Sequence, residues 1–239
     1  MAQLPKAITF DTYGTLIDWE GEIANYFRGF MDKKRVPGLN PRDVQRRWEV
    51  IQFAYIQEKY RPYTQVLCDT LKMTCEEFGL PFSSADGKDF AASMGKWEPF
   101  PDTQKAMTEI RKLCKVVLLT NTDNAIIAQS VKLMGIEVDD IVTAEMAGIY
   151  KPGLDGFHLA RRRLGLEVDE IMHAGFGFRY DIEPATKLGY KTCWVNRQGE
   201  ARSIWTDREG HARESEVKET YLVGDLQTLA WMLKGMAAK

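Results

Sequence analysis

The chain has 239 residues, with 32 lysines and arginines against 34 aspartates and glutamates, so its formal net charge is −2. This balance argues against a nucleic-acid partner held through its phosphates and against a polybasic membrane anchor. The longest apolar runs, such as Val116–Leu119, are far shorter than the roughly 20 residues that a membrane helix needs. The composition, 44% hydrophobic and 28% charged, is that of an ordinary globular protein.

Cysteine usage and the first residues predict where the protein works. The four cysteines are scattered and form no C-x-x-C pair, which argues against a zinc ribbon or a disulfide framework. Residues 1–6 lack the apolar segment of a signal peptide. We therefore expect a cytoplasmic protein, in a reducing compartment.

Residues 20–95 show helical spacing of apolar side chains. Ile23, Phe27 and Phe30 recur at intervals of three or four, as the inward face of a helix does. Similar runs follow, and prolines, Pro41 among them, fall between the runs as helix breakers. The pattern predicts a bundle of helices with no strand between them.

After Trp97 short apolar runs alternate with helical ones. Val116–Leu119 is an uninterrupted apolar run, as expected for a strand buried on both faces. The predicted strands are residues 7–10, 116–119, 141–142, 171–174, 191–195 and 221–223. Alternation of strands and helices gives right-handed βαβ units, so we predict an α/β fold with a doubly wound parallel sheet. The polar segment 198–220 is predicted to be an irregular excursion.

Chemically capable side chains follow the predicted strands. In chain order they are Asp11, then Thr120 and Asn121, then Lys151, then Asp181. Sites of open parallel sheets lie at the carboxyl ends of the strands, so we expect these side chains to lie together. The histidines lack metal-ligand spacing, and His173, inside a predicted strand, is interpreted as a core residue.

The segment Phe10–Asp18, FDTYGTLID, resembles the first motif of the haloacid dehalogenase superfamily. Three later segments resemble the remaining motifs in the right order: Leu118–Asn121, Tyr150–Pro152 and His173–Asp181. The resemblance implies a Rossmann-like core formed by residues 1–17 and 97–239 and an inserted all-helical cap formed by residues 18–96. With Tyr13 two residues after the first Asp, the motif is similar to that of the L-2-haloacid dehalogenases within the superfamily.

The resemblance also implies roles for the residues that match the motifs. Asp11 would be the nucleophile and would form an ester that water then opens. Lys151 would keep Asp11 ionised and offset developing charge, and Asp181 would help orient Lys151 and the hydrolytic water. The implied substrate-binding residues are Tyr13, Thr15, Trp19, Thr120, Asn121 and Phe178.

Several positions depart from the patterns of the superfamily. Tyr13 stands where the phosphatases carry a general-acid Asp, and with an ordinary pKa of about 10 it cannot protonate a leaving group near neutral pH. Phe176 stands where those phosphatases carry a magnesium-binding Asp, and it offers no oxygen to a hard cation. We therefore expect neither a metal nor a cofactor. Gly177 and Phe178 replace a Ser and an Asn of the dehalogenases, and Glu49 stands near the position of the cap Arg that grips the substrate.

These expectations favour a metal-independent hydrolase that converts 2-haloacids to 2-hydroxy acids through an aspartyl ester, with a small carboxylate as its substrate. Ring opening of azetidine-2-carboxylate is an alternative, because Glu49 would suit a substrate that carries an ammonium group. A magnesium-dependent phosphatase and a non-catalytic binding protein on the same fold are less favoured. The sequence leaves open the identity and chirality of the substrate and whether the protein forms a homodimer.

Overall fold

The computed structural model describes residues 3–199, 204–206 and 212–238. Six parallel strands form one sheet in the order β3-β2-β1-β4-β5-β8. The sheet strands are β1 (Ala7–Phe10), β2 (Lys115–Thr120), β3 (Asp140–Thr143), β4 (Ile171–Gly175), β5 (Lys191–Val195) and β8 (Tyr221–Val223). A separate antiparallel hairpin joins β6 (Ile204–Thr206) to β7 (Ala212–Glu214). The predicted α/β class with a doubly wound parallel sheet is confirmed.

Helices make up most of the remaining chain. In chain order they are α1 (Trp19–Lys34), α2 (Pro41–Ile56), α3 (Tyr63–Phe78), α4 (Ser84–Ser93), α5 (Thr103–Arg111), α6 (Asn124–Met134), α7 (Ala144–Ala147), α8 (Asp155–Leu164), α9 (Glu183–Lys187) and α10 (Leu226–Ala237). Among these described helices, none is long and apolar enough to cross a membrane.

Alternate residues of the central strands pack against helices on opposite faces of the sheet. Val116 and Leu118 of β2 belong to the large core cluster that includes residues of α5 and α10. Val117 and Leu119 belong to a second cluster with residues of α8 and α9. Because successive side chains of a strand point to opposite faces, a strand covered on both faces is apolar throughout.

The strand order places β1 in the middle of the sheet, between β2 and β4. The chain runs from β1 outward to β2 and β3, then crosses back to β4 on the other side of β1. A reversal of this kind opens a crevice at the carboxyl ends of the strands, where ligands of such sheets bind. Asp11 directly follows β1, so its side chain lies at this reversal.

The helices α1 to α4 form what we call the helical segment, residues 19–93, and residues 18–96 contain no strand. Trp48 of α2 is fully buried there, with its ring 5.9 Å from that of Trp19 and 5.5 Å from that of Phe90. Its indole N–H donates to the hydroxyl of Thr70 at 3.0 Å, so its polar atom has a buried partner.

Two details differ from the sequence prediction. Pro41 is the first residue of α2 rather than a residue between helices, because a proline lacks only an N–H that the first helical turn leaves unpaired in any case. The segment 198–220, predicted to be irregular, contains the hairpin of β6 and β7. Ile204, Trp205 and Thr206 are residue types that favour strands, a signal that the polar residues around them obscured.

We expect Trp48→Ala to lower the free energy of unfolding by about 3–5 kcal/mol, because it leaves a cavity in a closed core. Trp231→Ala is the matched control, since 63% of Trp231 is exposed, and it should change stability by less than about 0.5 kcal/mol. Urea denaturation followed by circular dichroism measures both values. Equal losses in the two variants would contradict this packing.

Candidate active site

Three charged side chains from different parts of the sequence meet beyond the carboxyl end of β1. Asp11 follows β1, Lys151 lies between α7 and α8, and Asp181 lies in a single wide helical turn, Phe178–Ile182, after β4. All three are almost fully buried, with exposures of 6%, 3% and 0%. The structure therefore brings the predicted catalytic residues together.

The Lys151 ammonium group has a partner for each of its three hydrogens. Its Nζ lies 2.9 Å from Asp11 Oδ1, 2.5 Å from Asp181 Oδ1 and 2.9 Å from the carbonyl oxygen of Leu119. An ammonium group has three donors, so it donates to both carboxylates and to the end of β2. Because each hydrogen has an acceptor, Nζ is held between the two carboxylates.

Two buried carboxylates share this single cation, and the balance of charge sets their pKa values. Burial raises the pKa of Asp11 to about 6, and Asp181 acts in the same direction, against the opposing effect of Lys151. Burial also acts to raise the pKa of Asp181, but Lys151 and His173 outweigh it and hold that pKa below its ordinary value. Burial disfavours the charged form of Lys151, yet Asp11 and Asp181 hold its pKa above the ordinary value.

The other oxygen of Asp11 is held by Thr15. The Thr15 hydroxyl donates to Asp11 Oδ2 at 2.8 Å and accepts a hydrogen bond from the main-chain N–H of Phe176 at 2.9 Å. Because the hydroxyl oxygen already accepts from Phe176, its hydrogen is directed at Asp11. Both carboxylate oxygens of Asp11 thus carry a hydrogen-bond donor. Thr15, predicted to be a substrate-binding residue, contacts Asp11 directly.

Asn121 holds the main chain of Lys151 rather than pointing at Asp11. Its Nδ2 donates to the Lys151 carbonyl at 3.0 Å, and its Oδ1 accepts from the Lys151 N–H at 2.7 Å. This two-bond clamp fixes the loop that carries the lysine. Thr120, the last residue of β2, has a buried hydroxyl with no partner among the described residues.

Tyr13 lies near Asp11, whereas Trp19 packs against Phe176. The Tyr13 hydroxyl lies 2.8 Å from Ser130 Oγ on α6, and burial raises the pKa of Tyr13 further above its ordinary value. Trp19 begins α1 and lies 6.0 Å from the ring of Phe176. Trp19, Phe176 and Gly14 are among the residues that line a neighbouring cavity of about 130 Å³, whose lining does not include Asp11, Lys151 or Asp181.

Gly14 permits the approach of Phe176 to the first motif. It has a φ of +96°, and a β-carbon there would lie 2.3 Å from the Phe176 ring. Any other residue would be strained and would displace that ring. Phe178 packs elsewhere, in a small cluster with Ile182 and Trp194, whereas Tyr13 and Trp19 belong to the main core. The structure thus does not bring Phe178 together with the other predicted substrate-binding aromatics.

Two polar side chains of α2, Glu49 and Gln52, lie near tyrosines. Burial raises the pKa of Tyr180, and the nearby charge of Glu49 on α2 acts in the same direction. Gln52, one turn further along α2, is buried and donates to the Tyr63 hydroxyl at 3.1 Å, and its Oε1 has no partner among the described residues. Arg47 pairs instead with Glu77 on α3.

Sequence reasoning missed two buried residues at this end of the sheet. The Asp123 side chain makes no cap hydrogen bond to α6, which it precedes; it accepts from the N–H groups of Tyr63 at 2.6 Å and Thr64 at 2.9 Å, so it caps α3 and joins the helical segment to the sheet. His173, interpreted as a core residue, contacts Asp181 at 3.2 Å. The sequence feature that could have indicated this contact is a titratable side chain in a strand otherwise composed of apolar residues and glycine.

The residues at the site do not fit a magnesium ion. Phe176 presents a main-chain N–H and an apolar ring to the site, and magnesium requires oxygen ligands. The ammonium group of Lys151 already lies between the two carboxylates. The part of the chain that the structure describes holds no group of three or more His, Cys, Asp or Glu residues able to bind a metal.

The sequence pattern of the haloacid dehalogenase-like hydrolases matches residues 5–189. The chain belongs to this family. It is 26% identical over 202 residues to an (S)-2-haloacid dehalogenase from Pseudomonas sp. (strain YL), covering 81% of this chain and 84% of that protein. It is 24% identical over 202 residues to haloacetate dehalogenase H-2 from Moraxella sp. (strain B), covering 81% and 87%.

The same family supplies similar solved structures. An L-2-haloacid dehalogenase from Xanthobacter autotrophicus with chloropropionic acid covalently bound superposes with a TM-score of 0.80 at 21% identity, covering 97% of this chain and 99% of that one. At this identity the likeness establishes the fold. The resemblance read from the four motifs is thereby confirmed, and the matched residues 5–189 include Asp11, Lys151 and Asp181.

We expect Lys151→Met to lower the free energy of unfolding by about 3–5 kcal/mol near pH 7, because it leaves two buried carboxylates without their cation. The loss should be smaller near pH 5. Without Lys151, burial and mutual repulsion raise the pKa values of Asp11 and Asp181 above those of the unfolded chain, and groups shifted in this direction favour the folded state as the pH falls.

Urea denaturation at both pH values measures this effect. The control is Lys187→Met, which removes an exposed lysine paired with Glu183 and should cost less than about 1 kcal/mol. The shared-cation arrangement would be wrong if Lys151→Met lowered the free energy of unfolding near pH 7 no more than the control does. It would also be wrong if the loss were larger near pH 5 than near pH 7.

Proposed function

We propose that the protein is a metal-independent hydrolase that replaces the halogen of a 2-haloacid by a hydroxyl group, through an ester formed on Asp11. The observation that carries the proposal is the buried Asp11–Lys151–Asp181 group, in which an ammonium ion stands between the carboxylates. Relatives whose names describe 2-haloacid or haloacetate dehalogenases support the substrate class.

In the first step an oxygen of Asp11 attacks the carbon that bears the halogen. The new carbon–oxygen bond forms as the carbon–halogen bond breaks, and the halide leaves with the electron pair. Attack requires ionised Asp11, and Lys151 and Thr15 stabilise that form by donating to its two oxygens. The buried ring of Tyr13 near Asp11 excludes water that would otherwise compete.

In the second step water attacks the carbonyl carbon of the Asp11 ester. The bond from that carbon to the ester oxygen breaks, the 2-hydroxy acid leaves, and Asp11 is regenerated. An ionised carboxylate offers about four acceptor positions, of which Asp181 uses three, for Lys151, His173 and the N–H of Gly177. We assign the remaining position of Asp181 to the hydrolytic water, whose proton it accepts and then passes to the departing ester oxygen, so that the product leaves as the 2-hydroxy acid.

The helical segment completes the proposed enzyme as a cap. We propose that residues 18–96 form this cap and that residues 1–17 and 97–239 form the core, with the site between them. Asp123 supports this arrangement, because it holds the start of α3 from the end of the sheet. Four unpaired cysteines support the expected cytoplasmic location.

A second candidate substrate is azetidine-2-carboxylate, whose ring nitrogen is protonated at neutral pH. The observation that favours it is the placement of Glu49, in the middle of α2, close enough for its charge to act on Tyr180, the residue before Asp181, since a carboxylate there attracts a substrate cation. The chemistry is the same: Asp11 attacks the ring carbon, and the amine is the leaving group instead of a halide.

A phosphatase is not favoured by the geometry. The Tyr13 phenol stands in the place of the general acid, burial raises its pKa, and its hydroxyl is engaged by Ser130. A phenol of this kind remains protonated but gives up its proton too reluctantly to assist a leaving group near neutral pH. Phe176 likewise provides no oxygen for the magnesium ion of such an enzyme.

Incubation with a substrate panel tests the proposal. The panel contains both enantiomers of 2-chloropropionate, chloroacetate, azetidine-2-carboxylate and p-nitrophenyl phosphate, each with and without a chelator. We expect turnover of a carbon electrophile that a chelator leaves unchanged, and a loss of at least about a thousandfold in Asp11→Asn, where a weak nucleophile replaces the carboxylate. Asp155→Asn, on the exposed first turn of α8, is the matched control.

Two outcomes would contradict the proposal. Turnover of p-nitrophenyl phosphate alone, restored by magnesium after chelation, would indicate a phosphatase. Binding of these compounds without any turnover would indicate a non-catalytic protein.

A further inference from the structure

His173 is a fully buried titratable side chain that the proposed mechanism does not use directly. It lies on β4, beside Thr9 of the neighbouring strand β1. Its Nδ1 is 2.8 Å from the Thr9 hydroxyl oxygen, and its Nε2 is 3.2 Å from Asp181 Oδ1. The imidazole therefore bridges the central strand of the sheet and one carboxylate of the site.

The partners of His173 decide which nitrogen carries the hydrogen. An ionised Asp181 can only accept, so Nε2 must be the donor. Burial lowers the pKa of His173, and the positive charge of Lys151 acts in the same direction, so the ring is neutral near pH 7. Nδ1 is then an acceptor, and the Thr9 hydroxyl donates to it. Asp181 thus selects the tautomer that points a donor at its carboxylate, and the Thr9 hydroxyl supplies the matching donor to Nδ1.

The loop before Asp181 explains why such a donor is needed. Gly177 and Phe178 carry no polar side chain, whereas the resemblance implies a Ser and an Asn at these positions in the dehalogenases. In this chain the Asp181 carboxylate accepts from Lys151 and His173 on one oxygen and from the main-chain N–H of Gly177 on the other. A β-carbon at Gly177 would lie 3.0 Å from Asp181 Oδ2, so the carboxylate is pressed against this loop.

We propose that His173 is a positioning residue, which holds the Asp181 carboxylate in the orientation that directs Lys151 toward Asp11. The inference rests on the proposed function, because it concerns how the same three charged groups are kept ready for reaction. His173 contacts neither Asp11 nor the substrate and acts through Asp181.

The surroundings of His173 contain few other charged groups. Asp181 and Lys151 face its Nε2 side, and Asp11 lies beyond Lys151. From β1 it meets the uncharged Thr9, and from α8 the ring of Phe157 at 4.9 Å. A change in the ionisation of the site on altering His173 would therefore be transmitted through Asp181.

Two substitutions separate a hydrogen-bonding role from a packing role. His173→Phe keeps the ring and its contact with Phe157 but removes the donor, whereas His173→Gln keeps an N–H near the position of Nε2 but loses the ring. Hydrogen bonds to charged groups stabilise more strongly than those between neutral groups. We therefore expect His173→Phe to lower kcat by about 10- to 100-fold with little change in KM. His173→Gln should retain kcat within about threefold.

A measurement without substrate distinguishes failure of this inference from failure of the proposed function. Carbon-13 NMR of carboxyl-labelled aspartates follows the ionisation of Asp11 and Asp181. Loss of the donor disfavours the ionised carboxylates, so their titration should move upward by about one pH unit in His173→Phe and remain near that of the native protein in His173→Gln. Should the native protein turn over none of the panel substrates, this titration still decides the inference.

Thr9→Val provides a second test should His173→Phe not fold. It keeps the shape of Thr9 but leaves Nδ1 without its donor, so the ring is held less firmly against Asp181 and the carboxyl titration should move upward. Nitrogen-15 NMR of the native protein should show the hydrogen on Nε2, where Asp181 requires it. Two results would overturn the inference: His173→Phe behaving like the native protein while His173→Gln is impaired, or a native His173 with no hydrogen on Nε2.

Discussion

The ammonium group of Lys151 carries one positive charge between the carboxylates of Asp11 and Asp181, and all three side chains are buried. In a buried setting the two negative charges could not both persist without this cation. Burial, with the charge of Asp181 acting in the same direction, raises the pKa of Asp11, the carboxylate that must attack, whereas Lys151 and His173 keep Asp181 the more acidic. Hydrogen bonds from Thr15, His173 and Gly177 stabilise the negative charge that the single cation does not fully compensate.

The parallel sheet brings these three side chains together from distant parts of the sequence. Asp11 and Lys151 are 140 positions apart, yet each lies beyond the carboxyl end of the sheet. Leu119 in β2 contributes its carbonyl to the lysine, and Asn121, just after that strand, clamps the lysine's main chain. The stability of the sheet and the geometry of the site are therefore coupled, because the same strand ends support both.

The fold and the charged residues could be predicted because both follow from local patterns. Uninterrupted apolar runs mark strands buried on both faces, and polar residues just after them mark the edge where a site forms. What sequence could not give was the direction of each side chain. Asn121 was expected at the substrate or at Asp11 and holds Lys151, and Phe178 was expected beside the substrate and packs with Trp194.

His173 shows a different limit of sequence reasoning. Its position inside a strand indicated a core residue, and it is fully buried. Its hydrogen bond to Asp181 depends on the turn Phe178–Ile182 folding that carboxylate back over β4. A tertiary approach of this kind leaves no periodic signal in the sequence.

The central claim is that an oxygen of Asp11 becomes part of the product. A single turnover in water enriched in oxygen-18, with enzyme in excess over substrate, tests it directly by mass spectrometry of the product and of the peptide that contains Asp11. We expect an unlabelled first product and label incorporated into Asp11, because water attacks the aspartyl carbonyl carbon. Label in the first product, with none in Asp11, would show that water attacks the substrate itself and would contradict the account.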